Sequence, residues 1–407
     1  MGTTTRKAPR SKNTPNPHYK PPTNILQKLN TFVHLDVITP FVFFAFWGVM
    51  LVVVSPVLAA FFLPLTLLYQ LSMALVNKLG PPKSLKSEFA VVITGCDTGF
   101  GNLLTMAMAE QHHEKYCIFA TCVTEKGIKG LAKQIQAMET QGHSVIVSQL
   151  DVTDQESVDE LAELVDEWLA EDLSTRTFHA LVNNAGVGSG GEIDWCEMNS
   201  FEWDMSVNYF GMIRVTKAFL PILKEQAVAN ETNGYYARIV NITSMAGLSC
   251  GPSMCAYSGS KHAAEAFSNT LRLEMSSWNI KVVTCNPSFH KTPIVGGIAP
   301  TLDKVFKNMD REVYDQYGKT YLEETKTIAI AMSSQTEWDA SNVTTALIKA
   351  IVQPHPPAQM LVGLDAKFAI AGMRHLPIWA QSFFMRSGIK SLRSCNVAAM
   401  EKSGKQR

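Results

Sequence analysis

Tyr257 and Lys261, four residues apart in the stretch CAYSGSKH at 255–262, are the residues of this chain best suited to proton transfer. On a helix that spacing puts both side chains on one face, one turn apart. An ammonium beside a phenol favours the phenolate and can lower the acid's pKa by roughly 1–3 units from its usual value near ~10. The phenol could then serve as general base towards an alcohol or, in reverse, as general acid towards a carbonyl. For the bare pair, a packed ring beneath a solvated charge is much the commoner arrangement. The surrounding elements have to decide between the two.

A second chemical feature lies upstream. The apolar run at 89–94 leads into TGCDTGFG at 94–101, which opens a helical stretch. Gly95, Gly99 and Gly101 let the backbone turn tightly and approach a pyrophosphate at the positive end of a helix. Three residues separate the first two glycines, a departure from the commonest dinucleotide fingerprint.

From residue 89 short apolar strands alternate with amphipathic helices. The strand candidates are 89–94, 116–121, 144–150, 180–183, 237–242 and 281–285, with helices that include 158–169 and 263–275. Buried strands separated by helices predict an α/β fold, a doubly wound, Rossmann-like parallel sheet. After Pro287 the pattern loosens as far as about residue 334. A helical segment at 338–352 and an apolar stretch at 361–385 follow, and the latter, with Asp365, Lys367, Arg374 and His375, reads as a surface-seeking or core helix. Residues 225–236 read as an inserted surface loop.

The 407 residues exceed one usual domain but suit one large α/β domain with extensions, and 46% hydrophobic residues supply its core. A formal net charge of zero offers no attraction to nucleic acid. The 8 cysteines show no CxxC pair and no metal-like grouping with histidine, so neither a disulfide nor a zinc site is expected. No charged residue occurs between Asp36 and Lys78, and the apolar run at 41–68 exceeds the ~20 residues a bilayer helix needs. One tilted span or a hairpin bent near Pro56 and Pro64 would both fit. Arg6, Lys7, Arg10, Lys12, Lys20 and Lys28 put the N-terminal flank on the cytosolic side. The expected organisation is a disordered basic tail at 1–36, a membrane segment at 37–77, a linker at 78–88, a catalytic domain at 89–335 and a helical extension and tail at 336–407.

Taken in order, the motifs of residues 89–385 resemble those of the short-chain dehydrogenase/reductases, most of all the membrane-bound retinol and hydroxysteroid dehydrogenases. TGCDTGFG at 94–101, LDVT at 150–153, NNAG at 183–186, VNYFG at 207–211, Ser244 in IVNITSMAG at 239–247, and Tyr257 with Lys261 all fall at the family's places. The resemblance implies cofactor contacts from Thr94, Gly95, Asp97, Gly99, Phe100, Gly101, Asn184, Ala185, Gly186, Pro287 and Thr292. It implies an adenine contact from Asp151 and a ribose contact from Lys261 beside Tyr257. Asn208, Ser244, Tyr257 and Lys261 are the implied catalytic set, in which Ser244 hydrogen-bonds the substrate oxygen, Tyr257 moves the proton and Asn208 anchors a relay water. Ser288 departs from the glycine many relatives carry, and it lacks glycine's freedom at positive φ.

Cofactor choice turns on the end of the second strand, ATCVTEK at 120–126, where NAD calls for an acid and NADP for arginine. Thr121 stands near the acidic position, no arginine lies nearby, and Lys126 reads as a solvated helix-start lysine. NAD is therefore expected over NADP, as in the branch the chain resembles. The implied reaction interconverts a lipophilic alcohol, a retinoid or hydroxysteroid, and its carbonyl at a membrane, that of the endoplasmic reticulum, with a homo-oligomer as a further expectation. A 3-hydroxybutyrate-type dehydrogenase is the rival within the enzyme class. From another class, an idle membrane-bound scaffold of the same fold is opposed by the joint presence of Ser244, Tyr257 and Lys261.

Overall fold

A computed structural model of the chain describes residues 64, 65, 68, 71, 72 and 75, and residues 88–387 apart from 112–115, 139–143, 230–235, 336, 337, 371, 372, 374 and 375. The chain divides into two units, Met1–Leu75 and Val76–Arg407. The expected tail, nearly all of the membrane segment and most of the linker fall outside the described residues. Among those described, no helix is long and apolar enough to cross a membrane.

The second unit is built on one parallel sheet. Its strands are β1 (Glu88–Ile93), β2 (Tyr116–Cys122), β3 (Ser144–Gln149), β4 (Arg176–Asn183), β5 (Arg238–Ile242), β6 (Lys281–Pro287) and β7 (Gln359–Val362), in the order β3-β2-β1-β4-β5-β6-β7. Successive strand side chains point to opposite faces, so each strand must be apolar on both. Ala90, Val92, Phe119, Leu181 and Ile239 meet one set of helices, and Val91, Ile93, Ile118, Val182 and Val240 meet another. Each large aliphatic side chain so buried contributes roughly 1.5–3 kcal/mol.

The helices follow from the intervening patterns. α1 (Gly99–Gln111) and α2 (Glu125–Gln136) cover the second face through Leu104, Met108 and Leu131. α3 (Gln155–Glu171) covers the first through Val158, Leu161 and Val165, spaced at helical period. α4 (Met198–Met205) runs through a π-helical turn, Ser206–Gly211, into α5 (Met212–Ala229). That helix takes up residues 225–229 of the expected surface loop. α6 (Cys255–Met275) starts eight residues earlier than the apolar pattern suggests and carries Tyr257 in its first turn.

The stretch after Pro287 is more regular than its sequence texture. Beyond a short turn, Pro293–Gly296, it forms α7 (Ile298–Asn308) and α8 (Arg311–Gln335), the latter broken at Gly318. These helices pack as a separate apolar cluster on Trp195, through Leu302, Tyr321 and Leu322. Tyr317 donates to Asp194 at 3.0 Å and Tyr321 to Glu192, which pins α8 to the segment after β4. α9 (Ser341–Val352) returns to the sheet, and β7 then pairs with β6. The short β7 was not among the expected strands. α10 (Ile378–Ser387) ends the described chain with Ile378, Trp379 and Phe383 exposed.

Candidate active site

β1 and β4 are neighbours, and the sheet grows to opposite sides from them, so the crevice at their C-terminal ends is the topological switch point of the fold. The glycine turn leaves β1 there and the NNAG segment leaves β4 there. The two are stitched together. Thr94 Oγ1 accepts from the Asn184 and Ala185 amides, both at 2.9 Å, and Asn184 Nδ2 donates to the Thr94 and Gly95 carbonyls at 2.8 and 2.9 Å. Gly95 has φ +70°, and a Cβ there would stand 2.7 Å from Ala185 Cα. Glycine is required at that position on both counts. Gly99 and Gly101 open α1, and Phe100 meets His290 edge-on, with ring centroids 5.9 Å apart.

Asp97 has a more definite place than the resemblance implied. Its carboxylate accepts from Val123 N at 2.9 Å, Thr124 N at 3.0 Å and Thr124 Oγ1 at 2.6 Å. The Asp97 carboxylate thus ties the glycine turn to the residues that follow β2. Thr121, the position expected to decide, is fully buried and donates to the Ile93 carbonyl at 3.2 Å. Asp151 follows β3, and its Oδ1 accepts from Thr153 N and Oγ1 at 2.8 and 2.7 Å, a tight turn that leads into α3.

Asn208 sits in the π-helical turn, fully buried. Its Oδ1 accepts from Val187 N, and its Nδ2 donates to Val187 O and Ser260 Oγ, all at 2.9 Å. The side chain therefore fixes the segment after NNAG to both α6 and the π-turn. Such turns project a side chain that a regular helix would direct elsewhere, and they are frequent at functional sites.

Ser244 stands just beyond β5, its Oγ accepting from Ala246 N at 3.1 Å. Lys261 is buried, its Nζ donating to Ile242 O at 3.2 Å and lying 5.8 Å from the centre of the Tyr257 ring. The two residues do share one face, but the expected electrostatics need correcting. Burial pushes the Tyr257 phenol up, against the downward pull of its hydrogen bond with Ser244, and the Asp204 carboxylate pushes it further up. Burial also lowers the Lys261 ammonium to about 8, with Asp204 and Glu265 opposing. Desolvation of the phenolate thus outweighs the Ser244 hydrogen bond, and the phenol lies above its ordinary value.

Pro287 closes β6 opposite Val362, and Thr292 lies beside the glycine turn, its Cβ 4.0 Å from where a Cβ on Gly99 would stand. Ser288 takes no positive φ, and its amide donates to Val362 O at 3.0 Å. The left-handed backbone falls instead on Gly363, at φ +108°, where a Cβ would lie 2.1 Å from Ser288 Oγ. A serine is thus accommodated by a glycine on the neighbouring strand's end.

Asp204 went unnoticed in the sequence. It is fully buried beside the catalytic set, and its spacing of four from Asn208 was the available signal. The glycine turn and the positive end of α1, at the switch point of the sheet, fit a nicotinamide dinucleotide in the crevice, with the remaining implied contacts, Ala185 and Gly186, on its β4 side.

Residues 89–303 match the family described as short chain dehydrogenase. Short-chain dehydrogenase/reductase family 9C member 7 of Mus musculus is 31% identical over 304 residues, covering 74% of this chain and 89% of that protein. Retinol dehydrogenase 16 of Rattus norvegicus is 32% identical over 292 residues, covering 70% and 84%. A short chain dehydrogenase/reductase from Burkholderia phymatum, solved in complex with NAD, superposes with a TM-score of 0.57 at 25% identity, covering 74% of this chain and 97% of that one. With its motifs set around one crevice and these likenesses over most of its length, the chain belongs to the short-chain dehydrogenase/reductase family, in the retinol and hydroxysteroid dehydrogenase-like branch of these alcohol oxidoreductases.

Proposed function

We propose that this protein interconverts a lipophilic alcohol, a retinoid or hydroxysteroid, and its carbonyl with NAD. The observation that carries the reading is the convergence of Ser244, Tyr257 and Lys261 where β5 ends and α6 begins, next to the glycine turn. A bound nicotinamide supplies the hydride acceptor or donor. Ser244 holds the substrate oxygen, and Tyr257 takes its proton in oxidation or returns it in reduction. Lys261 lends positive charge to the phenol and a ribose contact to the cofactor. Asn208 Oδ1, which retains a lone pair beyond its bond to Val187, anchors a relay water on the Lys261 side.

NAD is favoured because the Asp97 carboxylate at the end of β2 would repel a 2′-phosphate. The retinol dehydrogenase relatives support an apolar substrate. The apolar run at 41–68 supports attachment to a membrane, that of the endoplasmic reticulum in this reading.

The test is NADH formation across a panel of retinoids, hydroxysteroids and soluble hydroxy acids, with NAD and NADP and with Tyr257→Phe as control. Turnover of lipophilic alcohols that the substitution abolishes is expected. Turnover confined to 3-hydroxybutyrate and its like would sink the substrate class, and unchanged activity in Tyr257→Phe would sink the mechanism.

A further inference from the structure

Asp204, near the end of α4, is an ionisable residue at 0% exposure that the proposed chemistry does not use. Its Oδ2 accepts from Ser189 N at 3.0 Å and its Oδ1 from Ser189 Oγ at 2.8 Å. Ser189 ends a short segment that begins at Gly186 and threads the catalytic set. A Cβ on Gly188 would stand 3.5 Å from Tyr257 Cδ2, and one on Gly186 would stand 3.2 Å from Asn208 Oδ1 and 3.4 Å from Lys261 Nζ. Asn208 holds this segment at Val187, and Asp204 holds it two residues on. α4 packs against α6, the helix that bears Tyr257 and Lys261.

We propose that Asp204 is a positioning residue of the catalytic centre, clamping Ser189 so that segment 186–189 backs the Tyr257 ring, and setting a fixed negative charge towards Lys261 and Tyr257. The inference rests on the reading of Tyr257 and Lys261 as the proton-transfer pair.

A neutral side chain could tether Ser189, whereas burying a carboxylate costs several kcal/mol unless something offsets it. Ser189 and Lys261 are the offsets. Burial raises the Asp204 acid, and the two Ser189 hydrogen bonds and the Lys261 charge act against that rise. In return Asp204, with Glu265, favours the Lys261 ammonium, and it disfavours the Tyr257 phenolate. Glu265 faces Lys261 from α6 itself, Ser244 faces the phenol from the end of β5, and Cys196 also feels Asp204. Asp204 therefore favours the protonated form of both members of the pair in the free protein.

The experiment is an ultraviolet titration of the phenolate band, wild type minus Tyr257→Phe, which isolates Tyr257 without any substrate. Asp204→Asn keeps the shape and removes the charge, so the Tyr257 midpoint is expected to fall by about one pH unit. Ser189→Ala keeps the charge and loosens the clamp. It should leave the midpoint in place while lowering turnover about tenfold. A midpoint unmoved in a cooperatively melting Asp204→Asn overturns the charge role. Wild-type turnover in Ser189→Ala overturns the clamp, and it decides the matter even if Asp204→Asn fails to fold. Because the titration needs no alcohol, an unmoved midpoint leaves the proposed function standing, whereas a wild type inert towards every alcohol strikes that function alone.

Discussion

Tyr257 gains its chemistry from what surrounds it more than from its lysine. Burial alone would leave a reluctant phenol, so in the proposed mechanism Ser244, the substrate oxygen and the cofactor's charge supply the driving force for its ionisation. Removing the hydroxyl in Tyr257→Phe should cut kcat about 10²–10⁴-fold while dinucleotide affinity, measured by fluorescence quenching, stays near wild type. Asp97 makes the other residue-level prediction. In Asp97→Asn the amide oxygen still accepts from Thr124 but the amide protons face the Val123 N–H, so the charge is lost and one bond with it. The ratio of kcat/KM for NADP over NAD should rise about tenfold, at a cost of about 1–2 kcal/mol in stability read from the melting curve. The proposed catalytic residues could be singled out in the sequence because their spacing is set by helix and strand ends. The partner of Asp97 could not, since Val123 and Thr124 lie on the next strand's end and no local pattern joins them to the glycine turn.

At the scale of elements, the π-helical turn between α4 and α5 is the joint on which the site depends. It presents Asn208 to Val187 and Ser260, so one side chain couples three segments. Asn208→Ala leaves the part-buried Val187 amide and carbonyl without these partners and empties a fully buried site, where each polar group left unpaired costs about 1–3 kcal/mol. A loss of about 3 kcal/mol or more in denaturant unfolding is expected, together with a fall in kcat that exceeds any change in dinucleotide affinity. Strands β1 to β6 were readable because a sheet covered on both faces demands unbroken apolar runs. β7 was not, being four residues long and only half-buried for most of its length. α7 and α8 escaped for a different reason. They pack on Trp195 and one another rather than on the sheet, so their apolar residues follow the needs of a small separate cluster.

For the whole unit, pH stability is governed by groups held neutral inside it. His179, on β4, is fully buried, its Nε2 bonded to Ile351 O at 2.7 Å, and burial with the nearby Arg238 charge holds its pKa well below the ordinary value of 6.5. The unfolded chain therefore takes up a proton near pH 6.5 that the folded one refuses. The contribution of His179 is present in full above that pH and is lost as pH falls below it. The melting temperature should drop between pH 7 and pH 5, and His179→Gln, which cannot titrate, should flatten that slope. An unchanged slope would assign acid sensitivity elsewhere. Arg238 shows how far apart in the chain the supports of this unit lie. Buried at the start of β5, its guanidinium donates to the carbonyls of Ala350 at 3.2 Å, Ile351 and Gln353 at 2.8 Å, all at the end of α9. β7, which flanks the Pro287 end of β6 and faces Ser288 with Gly363, comes later still. During synthesis on the ribosome, then, every proposed catalytic side chain emerges long before the strand that completes the sheet beside the crevice. A nascent chain stopped short of β7 would carry Ser244, Tyr257 and Lys261 with the longer, apolar β6 as its sheet edge, a readier partner for another unfinished chain than the short β7. The last strand acts in this sense as a blunt end, since it replaces a seven-residue buried edge with a four-residue one.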